Sequence, residues 1–99
     1  MHRSRLAGFI IDCRTDDLQS AADFWSAALG YERVATAGDN YEGLQTPGGD
    51  PYLEVQAVDH ESRIHLDIET DDVEAEVGRL ETLGAKRLAV VESWVVMQA

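Results

Sequence analysis

The chain has 99 residues, room for one small domain with a single core. Its formal net charge is −11, with 19 Asp and Glu against 8 Lys and Arg, which opposes binding to nucleic-acid phosphates and to anionic membranes. No apolar run reaches the roughly 20 residues of a membrane helix, and the single Cys13 has no internal disulfide partner.

The start "MHRSRLAG" has no apolar leader core, so the expectation is a cytoplasmic protein with a reduced, packed thiol. The first strand is "LAGFIIDCR" (6–14), which pleats Phe9, Ile11 and Cys13 to one face and Ile10, Asp12 and Arg14 to the other. Thr15, Asp16 and Asp17 are the cap candidates of the helix that follows. Leu18, Ala21, Ala22, Trp25, Ala28 and Leu29 fall at helical spacing along it, and Gly30 ends it.

Three short strands come next, "YERVATA" (31–37), "NYEGLQT" (40–46) and "PYLEVQAV" (51–58). The turn clusters "GDN" and "PGGDP" separate them. "IHLDIETDD" (64–72) then sets Ile64, Leu66 and Ile68 against His65, Asp67 and Glu69, and His60 falls in the preceding loop "VDHES". A second helix carries Val73, Val77, Leu80 and Leu83 and stops at Gly84, and the strands "KRLAVV" and "SWVVMQA" finish the chain.

The order of elements repeats. "DCRTDDLQSAADFWSAALGYERV" (12–34) lies over "DIETDDVEAEVGRLETLGAKRL" (67–88), so that Asp12, Thr15, Asp16 and Asp17 match Asp67, Thr70, Asp71 and Asp72. Gln45 of "YEGLQ" matches Gln98 of "WVVMQ". Both halves share one plan, which implies an internal pseudo-twofold.

Two readings of the polar strand face stay open. His65 is either a hydrogen-bonded packing histidine facing Asp12, Asp67 or Gln56, or a ligand-binding group. Asp67 is either ion-paired with Arg14 across the two opening strands or free for a ligand. "TPGGDP" precedes a strand rather than a helix and so is no phosphate loop. Cys13 has no evident activating base, which argues against nucleophilic catalysis.

"DDLQSAADFWSAALGY", "RIHLDIETDDVEAEVGRLETLGA" and "SWVVM" together resemble the vicinal oxygen chelate superfamily of glyoxalases, bleomycin-resistance proteins and extradiol dioxygenases, and within it the glyoxalase-like domains. The resemblance implies an α+β fold. Paired βαβββ modules would form a curved, funnel-like mixed sheet with helices outside, the last strand of the second module missing from this chain. It also implies one domain over 1–99, with module one at 5–58 and an incomplete module two at 62–99, and a homodimer.

On the inner face of such a sheet the resemblance places a ligand among Asp12, Arg14, Gln56, His65, Asp67, Trp94 and Gln98. The superfamily's metalloenzymes use four His, Gln or Glu positions. Here His65 matches one and Glu54 or Gln56 another, but Ile10 stands where a third donor would be. The reading this favours is a small-molecule-binding protein with an incomplete metal site and no cofactor, suited to drug or metabolite sequestration. One alternative is a lyase, isomerase or dioxygenase using Zn, Ni, Mn or Fe. Another is a non-catalytic scaffold.

Overall fold

Alternation and capping chemistry define the elements of the computed structural model, which describes residues 1–35, 38 and 40–99. The chain runs β1 (Ser4–Arg14), α1 (Leu18–Leu29), β2 (Arg33–Val34), β3 (Tyr41–Leu44), β4 (Tyr52–Val58), β5 (Arg63–Thr70), α2 (Val73–Thr82), β6 (Lys86–Val91) and β7 (Trp94–Gln98). The fold is α+β, with a mixed five-stranded sheet ordered β2-β3-β4-β1-β5 and a separate β6–β7 pair. The two opening strands, β1 and β5, are neighbours in that sheet, as expected. Among the described residues no helix is long and apolar enough to cross a membrane.

The strand expected over 31–37 is shorter than that reading: only Arg33–Val34 pair as β2, while Tyr31, Glu32 and Ala35 lie outside the strand, and Thr36 and Ala37, like Asp39 of the "GDN" turn, lie outside the described residues.

Two compact units are present, Leu6–Ile68 and a second made of Met1–Arg5 with Glu69–Ala99. In the first, β1 pairs parallel with β4, while β2–β3 and β3–β4 are antiparallel. Its core joins buried Ala22 of α1 to Leu44 and Val55 of the sheet, with Cys13, Leu18, Ala21, Trp25 and Leu53 packed around them. Removing this apolar surface from water stabilises the unit by roughly 25 cal/mol per Å2. The helical stripe is thus its packing face at Leu18, Ala21, Ala22 and Trp25, whereas Ala28 and Leu29 at its far end are exposed.

Both helices start in the same way, which is the repeat expressed in hydrogen bonds. Asp17 Oδ1 accepts from the Ser20 amide at 3.1 Å, and Asp72 Oδ1 accepts from the Ala75 amide at 3.1 Å. Each cap is itself braced by a threonine two residues earlier: Thr15 Oγ1 accepts from the Asp17 amide at 2.9 Å and Thr70 Oγ1 from the Asp72 amide at 3.2 Å. Caps of this kind are worth about 1 kcal/mol each. Gly30 ends α1 in the left-handed conformation, φ 75°, which a Cβ would disfavour.

In the second unit, α2 packs Val77 inward, but Val73 and Leu83 of the expected stripe are exposed. Its Glu76 is buried and held from two sides. Arg79 donates through Nε at 2.8 Å and Nη2 at 2.7 Å, and His2 Nε2 lies 2.9 Å away. These partners, Arg79 first, hold the Glu76 carboxyl well below the usual carboxylate range. β6 and β7 form a hairpin around Glu92–Ser93, with Glu92 at φ 52°.

Candidate functional site

Strand alternation divides the first unit's sheet into two faces. Cys13, Leu44, Leu53 and Val55 point toward α1. Their sequence neighbours therefore share the opposite face: Gly8, Ile10 and Asp12 on β1, Tyr52, Glu54 and Gln56 on β4, and Tyr41 and Gly43 on β3. The register sets them in rows, with Tyr41 beside Gln56 beside Asp12, Gly43 beside Glu54 beside Ile10, and Tyr52 beside Gly8.

Asp12 is the organiser of this face. It is only 3% exposed, and its Oδ2 lies 2.9 Å from His65 Nδ1, 3.9 Å from Arg63 Nε and 4.0 Å from His60 Nε2. Its Oδ1 is buried without a hydrogen-bond partner among the described residues. A buried carboxylate requires compensation, and the Arg63 guanidinium and two imidazoles lie within 4.0 Å of it.

His65, with a side chain 40% exposed, bridges to a second carboxylate, its Nε2 3.4 Å from Asp67 Oδ1. The Tyr52 hydroxyl donates to Asp67 Oδ2 at 2.5 Å, and Gln56 Nε2 donates to the Tyr41 hydroxyl at 3.0 Å. A polar chain thus runs from Tyr52 through Asp67 and His65 to Asp12, across three strands.

Glu54 differs from its neighbours. It is half-buried and makes no hydrogen bond or ion pair to another described residue. Burial first, and the Asp67 charge second, push its carboxyl up from the usual value. The Tyr41 hydroxyl is also pushed up, by burial and then by the charges of Asp67, Glu54 and Asp12. Both shifts arise first from burial, to which the neighbouring carboxylates add. Alongside it, a solvent-open depression of about 530 Å3 is lined by Thr15, Asn40, Gln56, Val58, Asp59 and His60.

Of the residues singled out in the sequence, Asp12, Gln56, His65 and Asp67 come together on this face. Arg14 does not join them. The expected Asp67–Arg14 ion pair is absent: Asp67 is taken by Tyr52 and His65, while Arg14 is exposed and its amide donates to Ser62 Oγ at 2.9 Å. Trp94 and Gln98 lie on β7 of the second unit, where both are exposed. Glu69, expected beside His65, pairs with Arg5.

Tyr52, His60 and Arg63 were not foreseen as members. Tyr52 could have been, since alternation along "PYLEVQ" puts it on the face of Glu54 and Gln56. His60 and Arg63 reach Asp12 from the loop and from the start of β5, and the sequence carries no period that would reveal them.

The residues present do not fit a metal of the kind the superfamily uses. Ile10, 1% exposed, fills the position that would carry the first opening-strand donor. Among the described residues no three His, Cys, Asp or Glu side chains are grouped to hold an ion, whereas firm binding takes three or four.

No curated protein matches the chain. A family model described as "Glyoxalase-like domain" matches residues 8–99, nearly the whole length and every element of the face described above. The chain therefore belongs to the glyoxalase-like domain family, within the vicinal oxygen chelate superfamily.

Proposed function

We propose that this protein binds a small cationic, partly aromatic molecule on the sheet face opposite α1, without a resident metal, in the manner of a drug- or metabolite-sequestering protein. The observation that carries this reading is Glu54, a half-buried carboxylate with no described partner, next to the charge of Asp67. An ammonium or amidinium group would supply the missing countercharge where solvent screening is reduced. Tyr41 and Tyr52 add aromatic surface, which attracts cations and the rings that carry them.

Thermal denaturation with a series of aromatic amines and amidines tests the reading, with N-acetylated analogues as neutral controls. The cations raise the melting temperature with increasing concentration, as a ligand selective for the folded state must. Glu54→Gln abolishes the difference between charged and neutral members. No stabilisation at millimolar concentration, or equal stabilisation by the neutral analogues, would overturn it.

A further inference from the structure

Gly8 stands opposite Tyr52 in the parallel β1–β4 register, and a methyl group on it would overlap Cδ1, Cε1 and Cζ of the Tyr52 ring. Gly8 is not among the glycines with positive φ, so its backbone conformation is open to any residue. What glycine supplies at this point is room for the ring.

That room lets Tyr52 cross β1. Its backbone belongs to β4, its ring rests against Gly8, and its hydroxyl donates to Asp67 on β5 at 2.5 Å. The ring is thereby held at both ends, yet Tyr52 remains 42% exposed, so aromatic surface is presented to solvent from a fixed position. Glu54 follows two residues along the same strand face, about 7 Å away.

We infer that Gly8 is a positioning residue that seats Tyr52 as an aromatic wall, against which the ring of a bound cation packs while its charge lies at Glu54. This rests on the cation reading above and adds a selectivity to it: aromatic cations are preferred over aliphatic ones of equal charge. A stacked or edge-on ring pair is worth about three- to tenfold in affinity.

Titration calorimetry with tryptamine and with n-hexylamine tests this on the wild type and on Gly8→Ala, Tyr52→Leu and Tyr52→Phe. The wild type prefers tryptamine by about three- to tenfold. Gly8→Ala, which displaces the ring, and Tyr52→Leu, which removes it and leaves Gly8 intact, lose that preference while n-hexylamine binding is unchanged. Tyr52→Phe keeps the ring without its anchor and retains part of the preference.

Tryptamine affinity unchanged in either Gly8→Ala or Tyr52→Leu overturns the inference. So does equal loss of both amines in Tyr52→Leu with its melting transition intact. Binding of both amines to the wild type with no aromatic preference overturns the wall and leaves the cation reading standing. Binding of neither overturns both.

Discussion

His65 Nδ1 lies 2.9 Å from Asp12 Oδ2, joining a half-exposed imidazole to a carboxylate buried to 3% exposure. The other two basic groups near Asp12, Arg63 and His60, are about an ångström farther off, so His65 is its principal partner. Truncation by His65→Ala leaves a buried carboxylate under-satisfied, and the expected loss of stability is about 1–3 kcal/mol. His65→Asn, whose amide can still donate, recovers part of it. Urea unfolding measures both. A loss below about 0.5 kcal/mol for the alanine variant would mean that water or Arg63 takes over the contact.

Two glutamates give stability opposite dependences on pH. Glu76 is held below the usual carboxylate range, chiefly by Arg79 and then by His2. The unfolded chain therefore takes up its proton first, so the stabilisation is complete above the ordinary glutamate value and is lost as pH falls below it. Glu54 is shifted upward by burial and by Asp67, so its contribution is favourable at low pH and is lost as pH rises through the raised value. Glu76→Gln should destabilise at neutral pH, with the difference shrinking in acid. Glu54→Gln should stabilise at neutral pH by less than about 1 kcal/mol, because solvent screens a half-exposed charge. Chemical denaturation at pH 7 and at pH 3 to 4 checks both signs. The same sign for the two variants at pH 7 would contradict the partner assignments.

Local patterns were legible in the sequence because they are enforced locally. Asp17 and Asp72 cap their helices because a short acid accepts from the amide three residues on, and the repeat displays both. The division of β1 into a helix-facing Cys13 and an opposite-facing Asp12 follows from the pleat alone. Contacts between strands were less legible, since pleating gives the face of a side chain but not its reach. Arg14 and Asp67 were matched as opposite charges. Tyr52 takes Asp67 instead, by passing over the glycine of the intervening strand. The apolar face of β5 shows the same limit: Ile64, Leu66 and Ile68 alternate as expected, yet all three are exposed.

Cys13 packs against the α1 core, and burial pushes its thiol above the usual value, with the nearby Asp12 charge adding to the shift and a contact to Trp25 opposing it. The thiolate is the reactive form, so alkylation by iodoacetamide at pH 8 should be several-fold slower than for a free cysteine. Unfolding in urea should restore the ordinary rate. Native-state labelling as fast as that of the unfolded chain would show that the thiol is neither packed nor shifted.

The donor set sets a limit on metal affinity. Ile10 offers no donor on this face, and among the described residues no three His, Cys, Asp or Glu side chains are grouped to hold an ion. The grouping present falls short of the three or four protein ligands that hold a divalent ion firmly. After incubation with zinc, nickel, manganese or ferrous iron and then desalting, retention should stay below about 0.1 ion per chain, as expected of a site with too few ligands. Elemental analysis measures this directly. His65→Ala should leave any residual metal unchanged, because surface carboxylates rather than this histidine would hold it. Stoichiometric metal that disappears in His65→Ala would restore the metal-dependent reading and displace the cation-binding one.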